Sequence, residues 1–185
     1  YLPYIQSKQK DSITVEGYCV LNKDKLIGYA DREQSLGINF LNSTVNNCVF
    51  IASVEEKHVT LKISGFRSKI KYKDGVFEIK LKFKSEVIQA DSDIRMFDKS
   101  LNEKVIKAQD KWASDITQKT MDYLKQQGCD VATFGDTFHN KSPKEAEQYL
   151  DNWSDAFKRI TYKITVESKI DPSKTSGKPV KQGGD

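Results

Sequence analysis

The chain has few histidines and cysteines, and it has no long hydrophobic run. Its two histidines, His58 and His139, lie far apart in the sequence, and neither has a cysteine at a metal-ligand spacing. None of the three cysteines shows the Cys-x-x-Cys spacing of zinc or dithiol redox sites. No segment approaches the roughly 20 apolar residues that a membrane-spanning helix needs. The sequence therefore indicates no metal site, no dithiol redox site and no membrane-spanning helix.

Motifs for catalysis and nucleotide binding are also lacking. There is no Gly-x-Ser-x-Gly nucleophile elbow, and neither Gly128 nor Gly135 begins a phosphate-binding loop. Asp130 and Asp136 flank Phe134-Gly135, and paired carboxylates can act as acid and base or bind calcium. The residues between them supply too few oxygen ligands for calcium, so we expect each aspartate to cap a helix or a turn. We predict a protein that is not an enzyme and binds no cofactor or metal.

The length and the balanced charge indicate a soluble globular domain. The chain has 185 residues, of which 37% are hydrophobic and 30% are charged, which is enough for one domain with a real core. The net charge is +4, with acids and bases interspersed, and this is too weak and too mixed to indicate a nucleic-acid partner. Most lysines alternate with apolar residues, as at Lys80, Lys82 and Lys84, which is typical of a solvated sheet face.

The three cysteines cannot all pair within the chain. Cys19 and Cys48 lie in apolar, strand-like runs, where buried thiols are the ordinary state, and Cys129 lies apart from both. A Cys19–Cys48 disulfide stays open at this stage, because it requires close Cα atoms.

Alternating apolar residues predict an antiparallel β-meander. Residues 13–30 form a hairpin, residues 59–63 and 70–72 fall on successive strands, and Asp74-Gly75 makes a tight turn, since this dipeptide tolerates positive φ. Residues 77–83 continue the core face. The glycine at position 65 is interpreted as a strand end or turn.

One run breaks the alternation. Residues 48–52, Cys-Val-Phe-Ile-Ala, are continuously apolar, and such a run is typical of a strand covered on both faces. We therefore predict a central strand at residues 48–52.

The longest predicted element is a helix of roughly 27 residues, about 40 Å long at 1.5 Å per residue. Ser100 and Glu103 fit a capping box at its start, and Gly128 follows its C-cap. We expect this helix to lie across the sheet and to cover its apolar face. Its apolar stripe consists of Leu101, Val105, Ala108, Trp112, Ile116, Tyr123 and Leu124.

Shorter helices and a final strand complete the predicted order. Residues 31–42 favour a short helix, and Ser142-Pro143 begins another that runs towards Trp153. Residues 160–170 alternate as a strand with one buried face. Residues 171–185 have no aromatic side chain and are rich in Gly, Ser, Lys and Pro, which predicts a disordered tail. The predicted fold is therefore α+β: an antiparallel meander covered on one face by a long helix, with shorter helices before a final strand.

The order of several short motifs carries a family resemblance. A loop rich in Asp, Gly and aromatic residues follows the long helix, and a Trp-bearing helix then leads into the final strand. The matching segments are Leu2-Pro3, Gly17-Tyr18-Cys19-Val20-Leu21, Asp24-Lys25-Leu26-Ile27-Gly28, Asp130-x-x-x-Phe134-Gly135-x-x-Phe138 and Trp153-x-x-x-Phe157. Over about residues 1–170, this order resembles the C-terminal, third domain of the Ger(x)C family of spore germination lipoproteins.

The resemblance implies a location and partners. Ger(x)C proteins are the C subunits of nutrient germinant receptors, and they are lipid-anchored at the outer face of the inner spore membrane. They assemble there with the integral-membrane A and B subunits. The chain begins at Tyr1 without an initiator Met, a signal peptide or a lipid-modified Cys, so we expect a fragment whose lipid anchor lies upstream. The family has no established catalytic or ligand-binding residues, so none is carried over.

The sequence leaves three functional hypotheses. The first is a non-enzymatic interaction or scaffold domain in spore germination, with Asp136, Phe138 and Trp153 as candidate partner contacts. Trp153 lies near a helix break and is suited either to core packing or to partner contact. The alternative is an extracytoplasmic small-molecule-binding module with a cleft between sheet and helix. An extracytoplasmic hydrolase is disfavoured, because no nucleophile has an evident base.

Overall fold

The computed structural model describes residues 1–9, 12–22, 24–91 and 99–171, and in these residues the chain forms two β-sheets and five α-helices. The strands are β1 (Leu2–Gln9), β2 (Ser12–Asn22), β3 (Lys25–Ala30), β4 (Cys48–Val54), β5 (Lys57–Lys73), β6 (Val76–Ala90) and β7 (Thr161–Ile170). The helices are α1 (Arg32–Leu41), α2 (Lys99–Gln127), α3 (Phe134–Lys141), α4 (Pro143–Ala146) and α5 (Trp153–Arg159), with a 3₁₀ helix at Glu147–Asn152.

The first three strands form a small antiparallel sheet in the order β1-β2-β3. β2 and β3 form the hairpin that the sequence predicts over residues 13–30. The helix that follows is also as predicted. Asp31 caps α1: its carboxylate accepts a hydrogen bond from the Gln34 N–H (2.8 Å), and the Gln34 side-chain oxygen accepts one from the Asp31 N–H (2.9 Å).

The large sheet has the order β4-β5-β6-β7. β4, β5 and β6 form the predicted antiparallel meander, and its β5–β6 turn is at Asp74-Gly75, where φ is 50° and 80°. β7 joins the sheet only after all the later helices, and it pairs parallel to β6. The large sheet is therefore complete only when β7, the last strand in the sequence, has paired with β6.

The predicted central strand at residues 48–52 is wrong, because β4 lies at the edge of the large sheet. Ala52 is buried, whereas Val49 and Ile51 on the opposite face are each 57% exposed. A continuous apolar run does not distinguish a strand covered on both faces from an edge strand with aliphatic residues on its outer face. Residues 48–52 therefore form a strand with one buried face and one exposed apolar face, and not a strand buried on both faces.

The two strands predicted around residues 59–63 and 70–72 are one strand, β5. A β-bulge lies between Ser64 and Arg67, and Gly65 adopts φ 60° there. Before the bulge the odd-numbered residues face the core, and after it the even-numbered residues do. This change of phase resembles a strand end in the sequence, so Gly65 marks a bulge and not a turn.

The long helix α2 has 29 residues. It begins at Lys99, so Ser100 lies within the helix and not at the predicted N-cap position. Its C-terminus is as predicted. Gly128 has φ 64°, its N–H donates to the Lys125 carbonyl (3.0 Å), and the Cys129 N–H donates to the Leu124 carbonyl (3.0 Å). These two bonds form a Schellman motif, for which glycine is the best residue.

α2 joins the sheet through a buried polar contact as well as through apolar packing. Gln109 is fully buried. Its side-chain oxygen accepts a hydrogen bond from the Ser85 hydroxyl on β6 (2.9 Å), and its amide donates to the Ser168 hydroxyl on β7 (2.6 Å). One helical side chain therefore connects both members of the parallel strand pair. Burial also raises the pKa of the neighbouring Asp110.

The close approach of α1 to α2 depends on Gly37. A Cβ atom at Gly37 would overlap Oγ1 of Thr120 and would lie 2.7 Å from the Thr120 Cβ. In an open helix, Gly→Ala stabilises by about 1 kcal/mol. We predict the opposite sign for Gly37→Ala, a loss of about 1–3 kcal/mol in the free energy of unfolding, because overpacking displaces one helix. Urea unfolding measures this change, and a gain in stability would contradict the proposed packing.

The outward face of the large sheet is mostly basic. The ten basic residues on this side, called the basic face below, are Lys62, Arg67, Lys69, Lys71, Lys73, Lys80, Lys82, Lys84, Lys163 and Lys169. The acidic residues among them are Glu78, Glu86 and Glu167. These positions alternate with the buried residues of β5, β6 and β7, and they confirm the solvated sheet face predicted from Lys80, Lys82 and Lys84.

Glu167 illustrates the field of the basic face. It forms ion pairs with Lys80 and with Lys82 (2.8 Å), and these hydrogen bonds lower the pKa of Glu167 to about 2 from its ordinary 4.5. Because the folded-state pKa is depressed, this contribution to stability is present above pH 4.5 and is lost as the pH falls towards 2.

The Cys19–Cys48 disulfide that the sequence left open does not form, and the predictions for the C-terminus stay predictions. Cys19, on the small sheet, and Cys48, on the large sheet, are unpaired, and so is the buried Cys129. Residues 172–185, nearly all of the predicted tail, lie outside the described residues. The domain boundary at residue 170 therefore stays a prediction.

Candidate interaction site

The carboxylate of Asp130 organises the loop before α3. One oxygen accepts hydrogen bonds from the Phe134 N–H (3.0 Å) and the Ala132 N–H (3.3 Å). The other accepts from the Gly135 N–H (2.7 Å) and from Nε1 of Trp153 (2.9 Å). The residue at the N-cap position, Thr133, makes no side-chain capping bond. Asp130 therefore takes over the capping of α3, as the sequence predicts, and its charge faces the positive end of the helix.

The indole of Trp153 lies directly over Gly135. A Cβ atom at Gly135 would lie 2.9 Å from Nε1 and 3.0 Å from Cε2 of Trp153. The glycine therefore allows the ring to reach the Asp130 carboxylate. Trp153 is 23 positions from Asp130 in the sequence, yet Asp130, Gly135 and Trp153 form one hydrogen-bonded and packed unit that joins α3 to α5.

Phe138 connects this unit to the large sheet. Its ring is only 6% exposed, and its centroid lies 4.7 Å from that of Tyr72 on β5 and 6.0 Å from that of Trp153. Burial, followed by the nearby charge of Glu145, raises the pKa of Tyr72. Phe138 therefore supports the surrounding surface from below and does not project from it.

Two adjoining cavities lie beside this aromatic cluster, and we call them together the aromatic groove. The first has a volume of about 320 Å³ and the second about 380 Å³. The first is lined by Tyr72, Gly75, Phe77, Phe138, Glu145, Tyr149, Trp153, Ala156, Arg159, Ile160 and Thr161. The second is lined by Gly135, Asp136, Phe138, His139, Ala146, Tyr149, Leu150 and Trp153.

The structure brings the three sequence-predicted site residues together at the second cavity. Asp136 is exposed in the first turn of α3, Trp153 is half-buried, and Phe138 lies beneath them. Asp136 can present a charge at the rim, whereas the two aromatic residues form a firm apolar wall. This arrangement suits contact with an apolar side chain flanked by a polar or basic group.

Sequence reasoning missed two residues of the groove. Tyr149 and Leu150 lie on the 3₁₀ helix, and they are 37% and 63% exposed. Neither residue falls on the apolar stripe of the helix before it or the helix after it. This mismatch is the sequence signal that could have identified them. A large apolar pair that fits no core stripe is a candidate for a contact surface.

The described part of the chain offers little for other chemistry. Within it, no three His, Cys, Asp or Glu residues cluster in a way that could hold a metal ion. None of the helices in those ranges has the length and apolarity needed to cross a bilayer.

Comparisons with known proteins agree with the fold. Residues 16–174 match a family model described as "Spore germination B3/ GerAC like, C-terminal". The solved structure titled "Crystal Structure of the GerBC protein" superposes with a TM-score of 0.78 at 19% sequence identity, covering 91% of this chain and 55% of that one. This chain thus spans about half the length of the solved protein. The likeness confirms the predicted α+β fold. A search of curated proteins finds no match.

Proposed function

The chain belongs to the spore germination B3/GerAC-like C-terminal family, and on that premise we propose that it is a domain of a nutrient germinant receptor C subunit. In this proposal it acts without catalysis, as an interaction domain in spore germination. Its partners are the integral-membrane A and B subunits. A lipid upstream of this chain anchors the protein at the outer face of the inner spore membrane.

The aromatic groove is the observation that supports an interaction role. Leu150 and Tyr149 are exposed beside Trp153, whose ring is held by Asp130 and Gly135. Aromatic side chains that are fixed before binding lose little conformational entropy on contact, and such residues dominate interface energies. Asp136, Phe138 and Trp153 are the proposed partner contacts, together with Tyr149 and Leu150. Phe138 forms the floor of the groove, which a partner side chain would reach only by entering the cavity.

Anchoring changes the affinity that such a contact needs. A domain tethered beside its partners has a high effective concentration, so a contact that is weak in free solution suffices in the assembled receptor. Binding in free solution is therefore a poor test, and a test in spores is better.

We predict that Leu150→Ser in the full-length subunit slows nutrient-triggered germination at least about tenfold, the effect of losing roughly 1.4 kcal/mol of contact energy. Val15→Ser is the matched control, because Val15 is also exposed but lies on the small sheet, six residues along β2 from the end that approaches Leu150. Both variants should unfold within about 0.5 kcal/mol of the parent, as surface substitutions do. Germination is measured as loss of optical density after nutrient addition. Equal rates for both variants would defeat the groove assignment, and normal germination of spores lacking only this domain would defeat the scaffold role itself.

One observation favours small-molecule binding as a second candidate. The 320 Å³ cavity is in the size range of ligand sites, roughly 300–1,000 Å³, and its lining combines aromatic rings with the opposite charges of Glu145 and Arg159. Calorimetry of the isolated domain against amino acids, sugars and nucleosides separates the two functions. The interaction role predicts no binding heat, whereas tight binding that Arg159→Gln abolishes would place the ligand-binding function first.

A further inference from the structure

The basic face concentrates charge that the whole chain does not show. The chain as a whole has a net charge of +4, yet ten basic residues share this one face with three acids. Several of the basic residues lie directly opposite one another on neighbouring strands. These like-charge pairs are Lys69–Lys80, Arg67–Lys82 and Lys84–Lys169.

Like charges opposite each other across strands destabilise a sheet. In the described ranges no ion pair joins Lys69, Lys84 or Lys169 to an acid, whereas Glu167 partly compensates Lys80 and Lys82, which lie opposite Lys69 and Arg67. In the Lys84–Lys169 pair, neither lysine has an ion pair within those ranges. An anionic surface placed over the face would remove this repulsion. The arrangement is therefore costly for the free domain and favourable for a bound one.

The chemistry of the face indicates what kind of anion it suits. Nine of its ten basic residues are lysines, which attract as point charges and do not form the bidentate fork of arginine. No aromatic side chain from the described strands lies on this outward side, so the face offers no platform for stacking bases. A broad field of exposed lysines suits a surface of many mobile anionic groups better than one shaped ligand.

Exposed aliphatic side chains lie at one end of the same face. Val49 and Ile51 on β4 are each 57% exposed, and they pair in register with Lys62 and Thr60. Ile88 on β6 is 38% exposed and lies two strands away. We call Val49, Ile51 and Ile88 the aliphatic end. Lysines beside exposed aliphatic residues are the combination by which proteins bind the headgroup region of a bilayer.

We propose that the basic face binds the surface of an anionic lipid bilayer, with the aliphatic end entering the headgroup region. The proposal rests on the sheet alone and holds whether or not the aromatic groove contacts a receptor subunit. An acidic protein partner fits less well, because it would need matched charges at fixed positions and would gain little from the aliphatic end. Duplex nucleic acid fits less well because the helices of the described ranges pack against the inward side of the large sheet, so none of them is placed on the outward side to enter the major groove.

The test measures binding of the 185-residue chain to vesicles by co-sedimentation. Vesicles that contain phosphatidylglycerol should bind the chain at low ionic strength, and vesicles of phosphatidylcholine alone should not. Binding should weaken as salt is added, because charges screen within about 10 Å at 0.1 M. Inorganic phosphate at matched ionic strength should not compete, which distinguishes a lipid surface from a site for a single phosphate ion.

Two triple variants with the same net charge identify the surface. The combined Lys69→Gln, Lys84→Gln and Lys169→Gln variant should bind phosphatidylglycerol vesicles roughly 100-fold more weakly, at about fivefold per charge. Its thermal midpoint should stay level or rise, since like-charge repulsion is removed. The matched control changes Lys107, Lys111 and Lys119 to Gln on the exposed side of α2, and it should bind almost as the parent does.

A third variant tests the aliphatic end. Val49→Thr with Ile51→Thr keeps β-branched side chains in β4 and should weaken vesicle binding without changing its salt dependence. Unchanged affinity would overturn the role of the aliphatic end. Equal losses in the two triple variants, competition by free phosphate, or tighter binding to duplex DNA or an acidic protein than to the vesicles would each overturn the bilayer assignment.

Discussion

We expect Asp130→Ala to lower the free energy of unfolding by about 3–5 kcal/mol, which is one of the two largest effects that we predict. The change removes the acceptor for the Phe134 and Gly135 N–H groups and for Nε1 of Trp153. A buried donor left without a partner costs about 1–3 kcal/mol, and these donors are partly buried, so the sum lies below three full penalties. The loss of charge at the start of α3 adds a smaller helix-dipole term.

Urea unfolding measures this effect, and two companion variants define its cause. Asp130→Asn keeps the shape and one acceptor oxygen, so its stability should lie between those of the parent and Asp130→Ala. Asp136→Ala removes an exposed carboxylate from the first turn of the same helix and should change stability by less than about 1 kcal/mol. If the Asp130 and Asp136 variants lose similar amounts, the carboxylate does not organise the loop. The near-ultraviolet circular dichroism of Trp153 should weaken only in the Asp130 variants.

We also expect Trp112→Ala to lower the free energy of unfolding by about 3–5 kcal/mol, which is the usual range when a packed aromatic side chain is removed. The Trp112 ring stacks on Phe50 of β4 at 4.8 Å and meets Phe40 of α1 edge-on at 5.5 Å. It therefore joins α2, α1 and the edge strand. Aromatic pairs in these geometries contribute beyond their buried area.

Denaturant unfolding with intrinsic fluorescence or far-ultraviolet dichroism measures the loss. Trp112→Phe keeps one ring and should retain most of the stability, whereas Leu150→Ala, at a 63% exposed position, should change it by no more than about 0.5 kcal/mol. A loss below about 1 kcal/mol for Trp112→Ala would mean that the helix face is not packed at this point. The face would then become a candidate contact surface.

The features that the sequence predicts correctly are local. The Schellman glycine Gly128, the Asp74-Gly75 turn and the alternation of residues 160–170 depend on a few neighbouring residues and on backbone geometry. The fold class follows from the order of such elements. The position of a strand in a sheet depends on distant pairing instead, and the apolar run at residues 48–52 carries no information about its neighbours.

The polar residues of the core show a second limit. Gln109, Thr117 and Thr120 are buried on α2, although none belongs to the predicted apolar stripe. Gln109 is satisfied by two serines that come from strands on either side of it in the sequence. A hydrophobic period identifies apolar positions only, so a buried polar group is found when its distant partners are known.

The candidate site was partly predictable. Aspartate, glycine and aromatic residues suggested a structured loop, and Asp136, Phe138 and Trp153 do line one cavity. The link from Asp130 to Trp153 crosses 23 positions of sequence, and no local pattern indicates it. Tyr149 and Leu150 were missed because their 3₁₀ helix follows neither the helical nor the strand period.

The late arrival of β7 has a consequence for synthesis in the cell. During translation, β4, β5 and β6 emerge and can pair at once, but the parallel edge of β6 stays open until the whole helical segment and then β7 have left the ribosome. Pairing between strands so distant in the chain is slow, because the entropy of closing the long intervening loop is lost before the strand contacts contribute any stabilising free energy. An open strand edge invites pairing with another chain. The nascent protein therefore passes through a stage in which aggregation competes with completion of the sheet, and chaperones that shield β6 would raise its yield.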